Sequence, residues 1–338
     1  MHLRSLILII LGGVMEGLFA LPMRFAPRWS WENFWGTGSF FALILVPWPL
    51  AILTVPALRS VYMEAPPPAI FLAILFGAGW GLGGVFFGRG VALLGLSLGT
   101  SIIMGLIAIS GSVLPLVLKR NVHIPTGALG GLLAGITIML CGLGLCAFAG
   151  NLRSDSVKRA TDSRTPHFSF GILYCIAAGT LSSLVNFALI FGDPIASVAT
   201  SHNIDRSIAN NAVWAIVFSA NYIVNIGYCL SLAWKRHTLY ELRSESRRHY
   251  WLLAVLMGFL WGGGIVVYGL GASTGDTLGP VFGFPIMLLA SILTGNVAGA
   301  ICGEWRLQPA SATLAMGCGL LFMVLAIVTL GYANYKVA

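Results

Sequence analysis

The chain has 338 residues, of which 57% are hydrophobic and only 9% charged, with a mean hydropathy of +0.89. A soluble domain carries about 25% charged residues, so an ordinary water-soluble enzyme is excluded, as is disorder, which needs low hydrophobicity and high charge. The net charge of +8 sits in short loops between apolar runs, which suits membrane orientation and contact with anionic lipid head groups rather than nucleic acid.

A helical span needs about 20 mainly apolar residues. Ten segments meet that requirement, near 5–22, 36–55, 68–88, 94–118, 126–149, 168–191, 207–234, 251–270, 281–303 and 311–333. Period-2 alternation is absent, which excludes a β-barrel. The first run follows Arg4 in the manner of a signal peptide, but Glu16 interrupts it and no small-residue cleavage pattern follows at Gly17–Pro22; it reads as a retained helix. The expected fold is an all-α polytopic membrane protein. The polar stretch from Asn151 to Pro166 separates a first five-helix unit (1–150) from a second (168–338), with 151–167 as linker. Sorting Lys and Arg by face puts six on the amino-terminal side (Arg4, Arg59, Lys119, Arg120, Arg206 and Lys336) and thirteen on the other. The expectation is therefore both termini outside, with the 150–167 and 235–250 loops in the cytoplasm.

The two units repeat one another. Trp80-Gly81-Leu82-Gly83 recurs as Trp261-Gly262-Gly263-Gly264 at an offset of 181 residues, and Phe87-Gly88 meets Tyr268-Gly269 at the same offset. Leu98-Gly99 then answers Leu278-Gly279. Five spans is an odd number, so the second copy enters the membrane inverted, the plan of many secondary transporters with a site at the repeat interface. Gly79-Trp80-Gly81-Leu82-Gly83-Gly84 fits the Gly-x-Gly-x-x-Gly nucleotide pattern, but no strand precedes it and no acid follows at the required distance. Small residues four apart instead let helix backbones approach closely.

Glu16 lies roughly 11 residues into the first span, about 17 Å deep at 1.5 Å per residue. A charge there costs at least a few kcal/mol, which marks the residue as functional and inward-facing; it is the candidate proton-coupling group, the alternative being a protonated acid that only hydrogen-bonds another helix. Ser182, Ser183 and Asn186 share one face of span 6. Asn211, Trp214, Phe218, Asn221 and Asn225 form a stripe on span 7. Amides for hydroxyls and aromatic faces for C–H surfaces are what a sugar requires, although interhelical hydrogen bonding explains any single such residue equally well. The candidate substrate residues are Trp80, Ser182, Asn186, Asn221, Asn225, Trp261 and Tyr268. Trp29, Trp31, Trp35, Trp48, Trp251 and Trp305 lie near span ends and read as interfacial anchors. Asp193 and Asp205 read as loop or cap residues, Glu32 and Glu304 as partners of Arg28 and Arg306, and Arg89 as a snorkelling side chain. The six histidines show no metal spacing, the six cysteines form no Cys-x-x-Cys pair, and no nucleophile–base set is legible, so neither enzyme chemistry nor a cofactor is indicated.

Trp29-Ser30-Trp31-Glu32 and Val46-Pro47-Trp48 resemble the L-rhamnose–proton symporter family of the drug/metabolite transporter superfamily. The likeness continues through Phe76-Gly77-Ala78, Trp80-Gly81, Asn225-Ile226-Gly227-Tyr228-Cys229, Trp261, Tyr268 and Glu304-Trp305, nearly the whole chain. The resemblance implies ten helices in two inverted five-helix repeats and proton-driven sugar uptake across a bacterial inner membrane. The chain departs from the family pattern twice. Gly264 stands where the family has a glutamine three residues after the span-8 tryptophan, and Glu16 is an acid the family lacks. Within the superfamily an exporter of metabolites or drugs is the alternative; a membrane-embedded enzyme or a receptor scaffold is more remote.

Overall fold

The computed structural model describes residues 3–94, 96–118, 126–158, 168–243, 248–273, 279–303, 305–306 and 308–335. Helix α1 (Leu3–Leu18) ends in a 3-10 turn, Leu21–Phe25. The second crossing is α2 (Trp31–Phe40), a π-turn (Phe41–Leu45) and α3 (Pro47–Thr54), and the short α4 (Leu58–Glu64) follows. Then come α5 (Pro67–Leu94), α6 (Leu96–Leu118) and α7 (Thr126–Lys158). The sixth crossing is divided into α8 (Phe168–Ser182), α9 (Leu184–Phe191) and α10 (Asp193–Ser201). One turn, α11 (Arg206–Ala209), leads into α12 (Asn211–Arg236) and a 3-10 turn, Leu239–Arg243. The chain finishes with α13 (Arg248–Ser273), α14 (Gly279–Ile301) and α15 (Ala310–Tyr335).

Among the described residues nine stretches are long and apolar enough to cross a membrane, and α6 contributes a shorter apolar segment, Ile102–Ser112. The protein is an all-helical, multi-pass membrane protein, and the nucleotide-like glycine pattern lies inside α5. Two crossings differ from the sequence boundaries for identifiable reasons. The second starts at Trp31 because the extended Ser30 (φ −62°, ψ 152°) begins the helix there. Its π-turn precedes Pro47, and the Val46 N–H reaches back to Phe41 O at 3.0 Å. The sixth continues to Ser201, because Pro194 falls in the first turn of α10, where a missing N–H removes no helical bond. The expected linker is described only as far as Lys158, the end of α7; its remainder, Leu278 and Glu304 lie outside the described residues.

We call the membrane face at the start of α1 the first face and the opposite one the second. Helix packing recurs when each crossing is exchanged for the one five later. α1 lies along α13 and α14, and α8 lies along α5 and α6. α5 packs on α12 as α13 packs on α2 and its π-turn, while α7 and α15 pair with each other. The glycines repeat this atom by atom. A Cβ on Gly77 would meet Val217 O and Ala220 Cβ, and one on Gly258 would meet Gly38 O and Phe41 Cβ. Gly81 faces Asn221 O as Gly262 faces Ala42 O; Gly142 and Gly319 face each other's carbonyls. This recurrence is compatible with two inverted copies.

Such contacts make specific glycines irreplaceable. A methyl group on Gly77 or Gly262 would collide with a backbone carbonyl of the facing helix, and overpacking costs about 1–3 kcal/mol. Gly77→Ala and Gly262→Ala should each lower the thermal unfolding midpoint in detergent, whereas Gly84→Ala, with nothing within 4 Å of its Cβ position, should not.

On the first face Asp205 caps α11: its Oδ1 accepts from Ser207 N at 2.7 Å and Ser207 Oγ at 2.5 Å. The Ser207 hydroxyl chiefly, then the Ser207 N–H and the Arg4 charge, hold this carboxyl below the usual carboxylate range. A group whose pKa is lowered by folding stabilises the native state above its unfolded pKa, and that contribution vanishes as pH falls through the folded pKa. Asp205→Ala should therefore lower the unfolding midpoint at pH 7 and leave it unchanged below the folded pKa.

Candidate functional site

The repeated tryptophans meet. Trp80 of α5 and Trp261 of α13 stand edge to face with ring centroids 6.2 Å apart, and both are buried. Trp35 lies 5.1 Å from Trp261, Phe19 lies 5.7 Å from Trp261 and 6.0 Å from Trp35, and Phe218 lies 5.6 Å from Trp80. Polar groups attach to this aromatic cluster on its second-face side. Trp35 Nε1 donates to Asn225 Oδ1 at 2.9 Å, and Asn225 Nδ2 donates to Asn221 Oδ1 at 2.5 Å. Trp35, read from sequence as an anchor, therefore lies within the site; the earlier start of the second crossing carries it inward. Phe218, part of the span-7 stripe, joins the cluster, and so does Phe19, which the sequence did not single out.

Glu16 sits beside this cluster. Its Oε1 is buried and has no hydrogen-bond partner among the described residues. A Cβ at Gly264 would lie 3.1 Å from Glu16 Oε1 and 3.2 Å from its Cγ. Glu16 and Gly264 thus form one contact: the carboxyl side chain occupies space that any side chain at position 264 would claim. Gly12 lets α1 close on α13 at Gly264 and Tyr268, and Gly13 lets it close on α14 at Met287 and Ala290. On the opposite half Ser182 is the last residue of α8, where the helix is interrupted at Ser183. A Cβ at Gly83 would lie 2.7 Å from both Ser182 N and Ser182 Oγ.

Asn186 and Tyr268 form a separate group nearer the first face. Tyr268 lies two helical turns from Trp261, about 10 Å along the axis. Its hydroxyl donates to Asn186 Oδ1 at 2.5 Å, and Asn186 Nδ2 donates to Gly111 O at 2.6 Å and Pro280 O at 3.3 Å. Both residues are fully buried, and this knot joins α6, α9, α13 and α14.

The second crossing and α4 are fastened to the second half at both faces. At the second face Thr238 Oγ1 donates to Glu32 Oε1 at 3.0 Å, and Arg236 Nη1 lies 3.3 Å from Glu32 Oε2. The pair crosses to the other half, where the sequence pointed to Arg28 one turn away. Glu241 reinforces it by accepting from Ser30 N at 2.6 Å and Asn33 Nδ2 at 3.1 Å. Beside this fastening a cavity of about 210 Å³ is lined by Glu32, Gly36, Phe40, Tyr222 and Cys229 among others. At the first face Asn211 Nδ2 donates to Thr54 Oγ1 at 2.9 Å, Tyr62 donates to Ala212 O at 2.8 Å, and His202 pairs with Glu64 at 3.0 Å. Asp193 pairs with Arg206. Trp48 donates to Ser219 Oγ at 2.8 Å, and so also ties the second crossing to α12.

Known proteins resemble this chain along its whole length. The family described as L-rhamnose-proton symport protein matches residues 3–334. L-rhamnose-proton symporters of Escherichia coli O1:K1 / APEC, Shigella boydii serotype 18 and Shigella dysenteriae serotype 1 are each 24% identical over 335 residues, covering 96% of both chains. A crystal structure of another protein aligns with a TM-score of 0.58 at 14% identity and covers 98% of each chain, which extends the likeness to the fold.

Proposed function

The chain belongs to the L-rhamnose-proton symport protein family, and on that premise we propose that it takes up L-rhamnose or a related 6-deoxyhexose together with a proton. The full-length family match carries this reading, and the buried acid beside paired tryptophans supports it. Glu16 is the proton-coupling group. Trp80 and Trp261 offer ring faces to the apolar C–H side of the sugar, and Ser182, Asn221 and Asn225 offer hydrogen-bonding groups to its hydroxyls. Asn186 and Tyr268 bound the site toward the first face. The units 1–150 and 168–338 rock about this site, joined through 151–167, and the activity is transport without catalysis. The sequence sorting assigns thirteen of the 19 basic residues to the side opposite the amino terminus, which supports a cytoplasmic second face and outside termini in a bacterial inner membrane.

Uptake of radiolabelled sugar into proteoliposomes, with a pH gradient imposed in either direction, tests the proposal. Accumulation should occur with the uptake side acidic and collapse with a protonophore. If no sugar in a panel of 6-deoxyhexoses and other hexoses accumulates while an amino acid or organic cation does, the substrate class is wrong.

A further inference from the structure

The contacts around Glu16 have an image in the second half. Gly13 lies three residues before Glu16 and faces Met287 O and Ala290 Cβ; Gly179 lies three residues before Ser182 and faces Ile103 O and Leu106 Cβ. Three residues separate Met287 from Ala290, and three separate Ile103 from Leu106. The facing helices agree as well. Gly264, against which the Glu16 carboxyl packs, lies three residues after Trp261, and Gly83, against which the Ser182 hydroxyl packs, lies three residues after Trp80. Both α1 and α8 end within two residues of these side chains. Interrupted helices of this kind place substrate and ion groups near the bilayer midplane in inverted-repeat carriers.

We infer that Ser182 is the positional counterpart of Glu16, so that the second half presents a neutral hydroxyl to the substrate at the place where the first half presents the coupling acid. This rests on the transport reading above and deepens it. Each side chain lies against the glycine three residues after one tryptophan of the pair, Ser182 at Gly83 and Glu16 at Gly264, and those glycines leave the space each occupies. A hydroxyl accepts from and donates to a sugar hydroxyl without carrying charge, whereas the acid binds and releases a proton. One ionisable post and one neutral post give one coupled proton per cycle. The inversion puts the two posts at matching depths from opposite faces, so an acid moved to the other post keeps its relation to the tryptophans.

Two variants test this in proteoliposomes. Loss of one neutral hydrogen bond weakens binding about two- to tenfold, so Ser182→Ala should raise the sugar Kd by that factor while pH-driven accumulation persists at saturating sugar. The double variant Glu16→Ser/Ser182→Glu should recover accumulation that Glu16→Ser alone lacks. Wild-type affinity in Ser182→Ala, or a double variant that binds and exchanges sugar without accumulating it, overturns the inference and leaves the transport reading standing. Normal accumulation by Glu16→Gln would overturn the coupling role of Glu16 and this inference with it.

Discussion

Glu16→Gln is expected to reduce pH- and voltage-driven accumulation to simple equilibration while exchange of labelled for unlabelled sugar continues. A proton moving with a neutral sugar carries one charge, and 100 mV supplies about 2.3 kcal/mol. With tenfold per 1.4 kcal/mol, this is a concentration ratio of about 50 inside over outside, all of which the variant should lose. Glutamine matches the shape of the side chain and fits against Gly264, but it cannot gain or lose a proton. The unpartnered Oε1 is the structural reason to expect so large an effect. A charged carboxylate with a buried oxygen that lacks a donor is costly to enclose in a membrane interior, so on the proposed coupling role the loaded carrier would close readily only after protonation neutralises it. Comparing accumulation with counterflow in the same vesicles checks the prediction; a variant that retains the wild-type gradient places coupling elsewhere, with Asp193 and Asp205 the next acids to examine.

The second large effect should come from Trp261. Trp261→Ala would remove a ring that touches Phe19, Trp35 and Trp80, and emptying such a core site costs about 3–5 kcal/mol. That loss would confuse folding with binding. Trp261→Phe keeps a ring against the same neighbours while reducing the face available to a sugar, and should weaken binding about tenfold, about 1.4 kcal/mol, with the protein still folded. Trp251→Phe is the control: Trp251 is 40% exposed and packs edge-on against Trp29, away from this cluster. Titration calorimetry on both purified variants decides the matter, and equal affinities in the two would assign Trp261 to packing alone.

Much of this architecture was legible in the residues because a span must be apolar whatever its neighbours are. The Trp80 and Trp261 match was legible for a related reason, since close backbone contacts demand glycine and leave a recurring pattern. Trp35 was misread because Trp31-Glu32-Asn33 is polar enough to push a hydropathy boundary to residue 36, although the helix has already begun at Trp31. The Glu32 partner was hidden by distance along the chain: Arg28 lies one turn away, whereas Arg236 comes near only through the pairing of α2 with α12. Glu16 and Gly264 each stood out singly, and their contact required the packing of α1 on α13.

The two fastenings between the second crossing and α12 have an energetic consequence. Glu32 lies six residues before Gly38, and Asn211 six before Val217, the carbonyl-bearing residues that Gly258 and Gly77 face; one threonine-bonded closure therefore has its image at the other end. Their chemistry is unequal. Thr54 with Asn211 is a neutral pair, whereas the Glu32 side chain is 0% exposed and leans on Arg236. Parting the first-face closure exchanges neutral hydrogen bonds and the exposed His202–Glu64 contact for water. Parting the second-face closure separates Arg236 from a fully buried carboxylate, which must be rehydrated, and so costs more than parting exposed partners. A rocking carrier with identical doors would idle equally toward both compartments. Unlike doors would give the empty carrier a preferred resting side, set by the cost of rehydrating the buried Glu32 carboxylate at the second face.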